Sequence, residues 1–85
     1  NNTAMWRDEF GLTDLHWIGD APSPSDSLTV RIRHRGDLLE VVSAQFGQGA
    51  ARIKLSGTER AITTGQSAVI YRGDETLGGG IIKTD

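Results

Sequence analysis

The feature that most constrains the fold of this chain is a run of three consecutive glycines, Gly78-Gly79-Gly80, within a segment that otherwise has the composition of a strand. Glycine weakens a strand interior and offers no side chain to bury. A run of glycines is therefore tolerated where another backbone comes very close, as at a tight corner of a small barrel, or where a ligand does. The run predicts a β-structure that is unusually crowded near its carboxyl end.

A hairpin is predicted around this run. Ser67–Tyr71 is a short apolar run rich in β-branched residues, Arg72–Glu75 has the composition of a turn, and a second strand follows from Thr76. Ahead of the first strand, Gly65 and Gln66 predict an entry turn, because glycine reaches positive φ at little cost.

The rest of the chain also has the pattern of short strands. From Leu28 to Arg35 the side chains alternate, with apolar Leu28, Val30 and Ile32 on one face and Thr29, Arg31, Arg33 and Arg35 on the other. Further strands are predicted over 38–46 and 51–55, with a loop over 57–60. Five or six strands at intervals of roughly 8–12 residues, joined by glycine turns, predict an all-β fold, which is either an antiparallel barrel or a sandwich.

The most linker-like segment is Ala21–Ser27, with the sequence APSPSDS. Its two prolines fix φ, and its serines and Asp26 favour turns. We therefore predict a boundary at residues 21–27, separating a lead-in segment of residues 1–20 from a barrel over residues 28–85.

Composition excludes several classes of site. The chain has 85 residues, enough for one domain, and no cysteine, so it has neither disulfides nor thiolate metal ligands. His16 and His34 have no second histidine at ligand spacing, which predicts no metal site. Acidic residues interrupt the first twenty positions, so a signal peptide or membrane span is not expected there and we predict a cytoplasmic protein without a membrane partner. The carboxylates are scattered, and no catalytic residue is predicted.

The most distinctive polar feature is a basic stripe, defined as Arg31, Arg33 and Arg35 with His34 beside them. Alternate strand residues lie about 6.6–6.8 Å apart on one face, and guanidinium groups offer forked donors to phosphate oxygens. The stripe therefore fits two or three phosphates of a nucleic acid. The alternative is a solvated face whose arginines pair with acids such as Asp37 or Glu40. Because the net charge is −2, binding would depend on this local patch and be weak and salt-sensitive, with a log–log slope of about −2 to −3.

Three segments together resemble a known family. The stretch AITTGQSAVIYRGDETLGGGII resembles the end of the C-terminal β-barrel domain of the tRNA-specific 2-thiouridylases, in which a proline usually stands where this chain has Thr64. LTVRIRHR, from Leu28, is similar to the first long strand of that domain, and LTDLHW, from Leu12, to the segment that leads into it. Some members are labelled tRNA (5-methylaminomethyl-2-thiouridylate)-methyltransferases. The resemblance implies an all-β fold, a small antiparallel Greek-key-like β-barrel of five to six strands like those of translation factors. It would place residues 1–20 in the tail of the preceding central domain.

The resemblance implies a function for the parent enzyme. The whole enzymes are sulfurtransferases that adenylate the wobble uridine of certain tRNAs with ATP and then replace its oxygen with sulfur carried on a cysteine. That chemistry belongs to an N-terminal domain with a glycine-rich loop and two catalytic cysteines, which have no counterpart here. This piece would then be noncatalytic and without a cofactor of its own, assisting tRNA binding and bracing the domains, with ATP bound by the N-terminal domain.

The implied partners are tRNA, the N-terminal and central domains of the same chain, and a sulfur-relay protein. The rival hypothesis is a small barrel that serves as a protein-interaction adaptor without RNA binding, resembling the barrel domains of translation factors.

Overall fold

The computed structural model describes residues 6–23, 25–32, 36–60 and 62–84. They form six strands, which are β1 (Trp6–Trp17), β2 (Leu28–Arg31), β3 (Leu39–Gly47), β4 (Ala50–Arg60), β5 (Ser67–Arg72) and β6 (Glu75–Lys83). The described residues contain no helix that is long and apolar enough to cross a membrane.

The strands form a closed antiparallel barrel in the order β1-β4-β3-β2-β5-β6, and β6 pairs with β1 to complete the ring. Strands β3 and β4, like β5 and β6, are joined by two-residue turns. The connections from β1 to β2 and from β4 to β5 instead pass between strands that are not neighbours. The connection from β4 to β5 places β5 beside β2, the first strand of the β2–β3–β4 meander, which is the Greek-key arrangement. The connection from β1 to β2 is its mirror in chain order, because β1 lies beside β4, the last strand of that meander. The predicted all-β barrel is confirmed.

The core lies inside the ring and is built from the inward positions of the strands. In β2 the prediction from alternation is confirmed for the described part, since Leu28 and Val30 are buried while Thr29 and Arg31 are half-buried. The buried apolar set comprises Phe10, Leu12, Leu15, Leu28, Val30, Ala51, Ile53, Leu55, Ile62, Ala68, Ile70, Leu77 and Ile82. The barrel interior is therefore filled by side chains, as expected of a barrel this small.

Strand pairing does not follow the predicted division into a lead-in over 1–20, a linker over 21–27 and a barrel over 28–85. Strand β1 is part of the barrel, paired with β4 on one side and β6 on the other. It contributes Phe10, Leu12 and Leu15 to the core. The segment after it connects two strands of the same barrel, and its Pro22 is buried. The prediction of a boundary there is wrong because proline and serine mark an interstrand loop as readily as a domain linker.

Two further strands depart from their predicted form. The loop predicted over 57–60 belongs to β4, where Glu59 pairs with Arg7 after an irregularity in the register. In β3 the alternation of burial changes phase where the register with β4 shifts, between Val41 and Ser43. A β-bulge shifts the side chains beyond it to the other face, which accounts for the mixed apolar pattern of this segment.

Candidate nucleic-acid interface

The glycine run Gly78–Gly80 lies in β6, between β1 and β5. A Cβ atom on the first glycine would collide with the carbonyl oxygen of His16, and one on the second with the carbonyl oxygen of Ala68. On the third glycine it would lie 2.7 Å from the carbonyl oxygen of Thr13. Main-chain atoms of both neighbouring strands thus occupy the space that side chains would need. The run lets β6 fit between two close backbones.

The predicted entry turn is tied to the same strand. Gly65 has a φ of 100°, and its N–H donates to the carbonyl oxygen of Ile82 at 2.9 Å. The N–H of Ile82 in turn donates to the carbonyl oxygen of Gln66 at 2.7 Å. The side-chain oxygen of Gln66 accepts from the N–H of Thr63 at 2.9 Å. Both turn residues therefore act in closing the barrel around the end of β6.

Thr64, the position at which the resemblance implies a proline, adds a further link to this end of the barrel. Its hydroxyl oxygen accepts from the N–H of Thr84 at 2.9 Å and lies 3.0 Å from the Thr84 hydroxyl. Proline has no hydroxyl, so this contact depends on threonine at the position.

Arg31, the first member of the basic stripe, projects from the outer face of β2. Its register partner on β5 is Val69, and the next outward residue of β5 is Tyr71, whose register partner is Thr29. The guanidinium carbon of Arg31 lies 5.5 Å from the centroid of the Tyr71 ring. This distance is within the range of a cation–π contact.

The Arg31 guanidinium has no carboxylate partner among the described residues. Neither Asp37 nor Glu40, the acids named in the alternative interpretation, forms a salt bridge with it in that part of the chain. Its Nε atom is buried and lacks a hydrogen-bond partner there. An approaching anion would therefore meet the two terminal Nη nitrogens of the fork rather than its Nε edge.

The other three residues of the stripe, Arg33, His34 and Arg35, lie outside the described residues. Their alignment with Arg31 stays a prediction.

Several basic side chains elsewhere on the surface are neutralised by ion pairs. Arg52 pairs with Glu9 at 3.0 Å, Lys54 pairs with Asp8 at 2.9 Å, and Arg72 pairs with both Asp26 and Glu75 at 3.0 Å. The hydrogen bond from Lys54, and then its charge, lower the pKa of Asp8 below its ordinary value. The ion pairs of Arg52 and Lys54, where β1 and β4 lie side by side, therefore present balanced charge to a polyanion, unlike the position of Arg31.

A second polar feature lies beside the glycine run. An open surface depression of about 430 Å³ is lined by Gly79 and Gly80 together with Asp14, His16 and Ser67, among other residues. These three side chains form no hydrogen bonds with one another among the described residues. They are not assembled into a nucleophile–base relay, which needs such contacts. Within the described part, no cluster of histidine and acidic side chains could hold a metal ion.

Tyr71 is the residue of this surface that sequence reasoning missed. It ends the first predicted strand of the last hairpin, and no local pattern links it to the strand that carries Arg31. Its contact with Arg31 arises because β5 pairs with β2, a neighbour distant in sequence. The only available signal was an aromatic residue at an outward position of a strand.

Comparison with known proteins identifies the family. A family model described as the aminomethyltransferase beta-barrel domain matches residues 7–82. The chain is 38% identical over 81 residues to a tRNA-specific 2-thiouridylase MnmA of Chloroflexus aurantiacus, with 93% of the chain covered. It is 37% identical over 86 residues to the protein of that name from Chlorobium luteolum, with 95% covered. For the Protochlamydia amoebophila protein the identity is 34% over 83 residues, with 98% covered.

The match covers only a small part of these relatives. The chain spans 22% of the length of the Chloroflexus protein and 23% of the Chlorobium protein, at their C-terminal end. The chain therefore belongs to the family of aminomethyltransferase β-barrel domains, and it is a barrel of the type that forms the C-terminal end of tRNA-specific 2-thiouridylases.

Proposed function

We propose that this chain is the noncatalytic C-terminal domain of a tRNA-specific 2-thiouridylase and that its basic stripe, beginning at Arg31, helps to hold tRNA. The parent enzyme would carry out ATP-dependent 2-thiolation of the wobble uridine with residues outside this barrel. The names of the relatives support the parent activity, and the absence of cysteine from the chain supports its assignment to other residues.

The main support for the tRNA role is the position of Arg31 and its lack of an acidic partner among the described residues. Its guanidinium lies on the outer wall of the barrel over Tyr71, without a carboxylate partner among the described residues. Hydrogen bonds between an arginine and a phosphate are charge-assisted and stronger than neutral ones. An arginine whose charge is not neutralised by a neighbouring acid keeps that interaction for a ligand.

The distribution of charge supports a local contact rather than general attraction. The chain has a net charge of −2, and Arg52 and Lys54 on the β1–β4 face are paired with acids. Nucleic acid would therefore be drawn to Arg31 on β2 and to Arg33 and Arg35, which follow it in the sequence.

The direct test is charge reversal in the full-length enzyme. We expect Arg31→Glu with Arg33→Glu to weaken tRNA binding about tenfold or more, since two charge-assisted contacts are lost and two repulsive charges are added. The log–log dependence of affinity on salt should become shallower by about two. Both are measured by fluorescence titration with tRNA at several salt concentrations, alongside the rate of 2-thiouridine formation at subsaturating tRNA.

The matched control is Arg52→Glu with Lys54→Glu, which changes the net charge equally on a different wall of the barrel. The new glutamates would face Glu9 and Asp8, but all four side chains are exposed, where water and salt screen such repulsion. This variant should therefore fold and bind tRNA with a nearly unchanged salt slope. If the stripe variant retained wild-type affinity and thiolation, the tRNA role would be wrong. The adaptor hypothesis would then be favoured.

A further inference from the structure

We infer that Tyr71 is a positioning residue for RNA binding, which holds the guanidinium of Arg31 so that its terminal nitrogens face a phosphate. The inference rests on the proposed function, because it assigns a second residue to the same surface.

The strand register fixes the two side chains relative to each other. Arg31 and Tyr71 project from adjacent strands at diagonal positions of the β2–β5 ladder, where long and aromatic side chains reach each other. Tyr71 is half-buried and pairs on its other side with Thr76 of β6, next to a register irregularity at Ile70. Its backbone is thus held between two strands, and its ring is a fixed surface against which the arginine packs.

Packing against the ring changes what Arg31 can offer to a ligand. The guanidinium carbon is 5.5 Å from the ring centroid and Nε is buried, so the stem of the side chain is restrained. A free arginine loses rotamer freedom when it binds a phosphate, whereas a restrained one has already lost part of it. The ring therefore increases affinity by preorganising the arginine, with no need to touch the RNA.

The energetic scale of a cation–π contact at an exposed site corresponds to a change of about two- to fivefold in affinity. In the full-length enzyme we expect Tyr71→Leu to weaken tRNA binding by about that factor, while Tyr71→Phe, which keeps the ring, binds like the wild type. Circular dichroism and the Tm of each variant verify that the barrel is intact. In an Arg31→Ala background, Tyr71→Leu should cause no additional loss.

The double-mutant comparison separates this role from its rivals. An equal loss from Tyr71→Leu with and without Arg31 would overturn the positioning role, since the tyrosine would then act independently of the arginine. A loss with Arg31→Ala but none with Tyr71→Leu would overturn the role of Tyr71 and leave the proposed function intact. If Arg31→Ala bound tRNA as tightly as the wild type, both the proposed function and the positioning role would be overturned.

Discussion

Gly79 is the middle of three glycines whose missing side chains let β6 fit between its neighbours. A Cβ atom there would collide with the carbonyl oxygen of Ala68, which belongs to the neighbouring strand. Neither strand can move away without weakening the hydrogen bonds between β5 and β6. We expect Gly79→Ala to lower the free energy of unfolding by about 1–3 kcal/mol, the usual cost of forcing extra atoms into a packed site. Urea denaturation of the 85-residue chain measures it.

Gly57 provides a matched control for that substitution. It also lies within a strand, it has no positive φ, and no heavy atom other than its own and those of its two chain neighbours lies within 4 Å of the position its Cβ would take. Gly57→Ala should change stability by no more than about 0.5 kcal/mol. Equal losses from the two substitutions would show that strand glycines matter here for some reason other than close approach.

Sequence could predict only those properties of the candidate site that depend on a single strand, such as the direction in which a side chain points. The outward direction of Arg31 follows from alternation with the buried Leu28 and Val30, which is a local property. Its contact with Tyr71 depends on which strands pair, and so does the lack of an ion pair with Glu40. Those are properties of the closed ring, which no local pattern contains.

Strands differed in how well sequence predicted them, for a physical reason. The β5–β6 hairpin and β2 were recognised because turn glycines and regular alternation mark them. In β1 the register with β6 shifts between Thr13 and His16, where Asp14 adopts a φ of 51°. Leu12 and Leu15 consequently both point into the core although their spacing breaks the two-residue period. The irregularity therefore removes from β1 the regular alternation that marks β2, and the proline-rich segment after it led to the prediction of a separate lead-in.

The outer face of the β1–β4 pair provides a test of its own. The carboxylate of Asp8 accepts a hydrogen bond from Nζ of Lys54 at 2.9 Å, and this contact lowers the pKa of Asp8. The pair therefore stabilises the folded state above the ordinary pKa of aspartate, about 3.9, and the contribution is lost as pH falls through the lower folded value. We expect Lys54→Met to raise the pKa of Asp8 towards its ordinary value, as measured by NMR titration of the carboxyl carbon.

Arg52→Met serves as the comparison for that experiment, since Arg52 is ion-paired with Glu9 on the same face. It should leave the titration of Asp8 close to that of the wild type. An Asp8 carboxyl that titrates at the same pH with and without Lys54 would contradict the contact.

For the molecule as a whole, the closed ring predicts that the barrel does not fold stably without β1. Removing residues 1–20 would leave β4 and β6 each with an unpaired edge, the one that pairs with β1 in the intact barrel. It would also delete Phe10, Leu12 and Leu15 from the core. We expect the truncated chain of residues 21–85 to lack a cooperative thermal transition, as measured by circular dichroism. A shortened chain that melts cooperatively near the Tm of the full 85 residues would restore the domain boundary predicted from the proline-rich segment.

Ring closure between β1 and β6 also has a kinetic consequence. The pairing of Gly11 with Lys83 joins residues from nearly opposite ends of the described chain, and no short hairpin can bring them together. Closing so long a loop costs conformational entropy, and this cost comes before the stabilising contacts between the two strands have formed. The domain should accordingly fold in milliseconds to seconds, as barrels with mainly nonlocal pairing do, and until the two edges meet each remains open to pairing with another molecule.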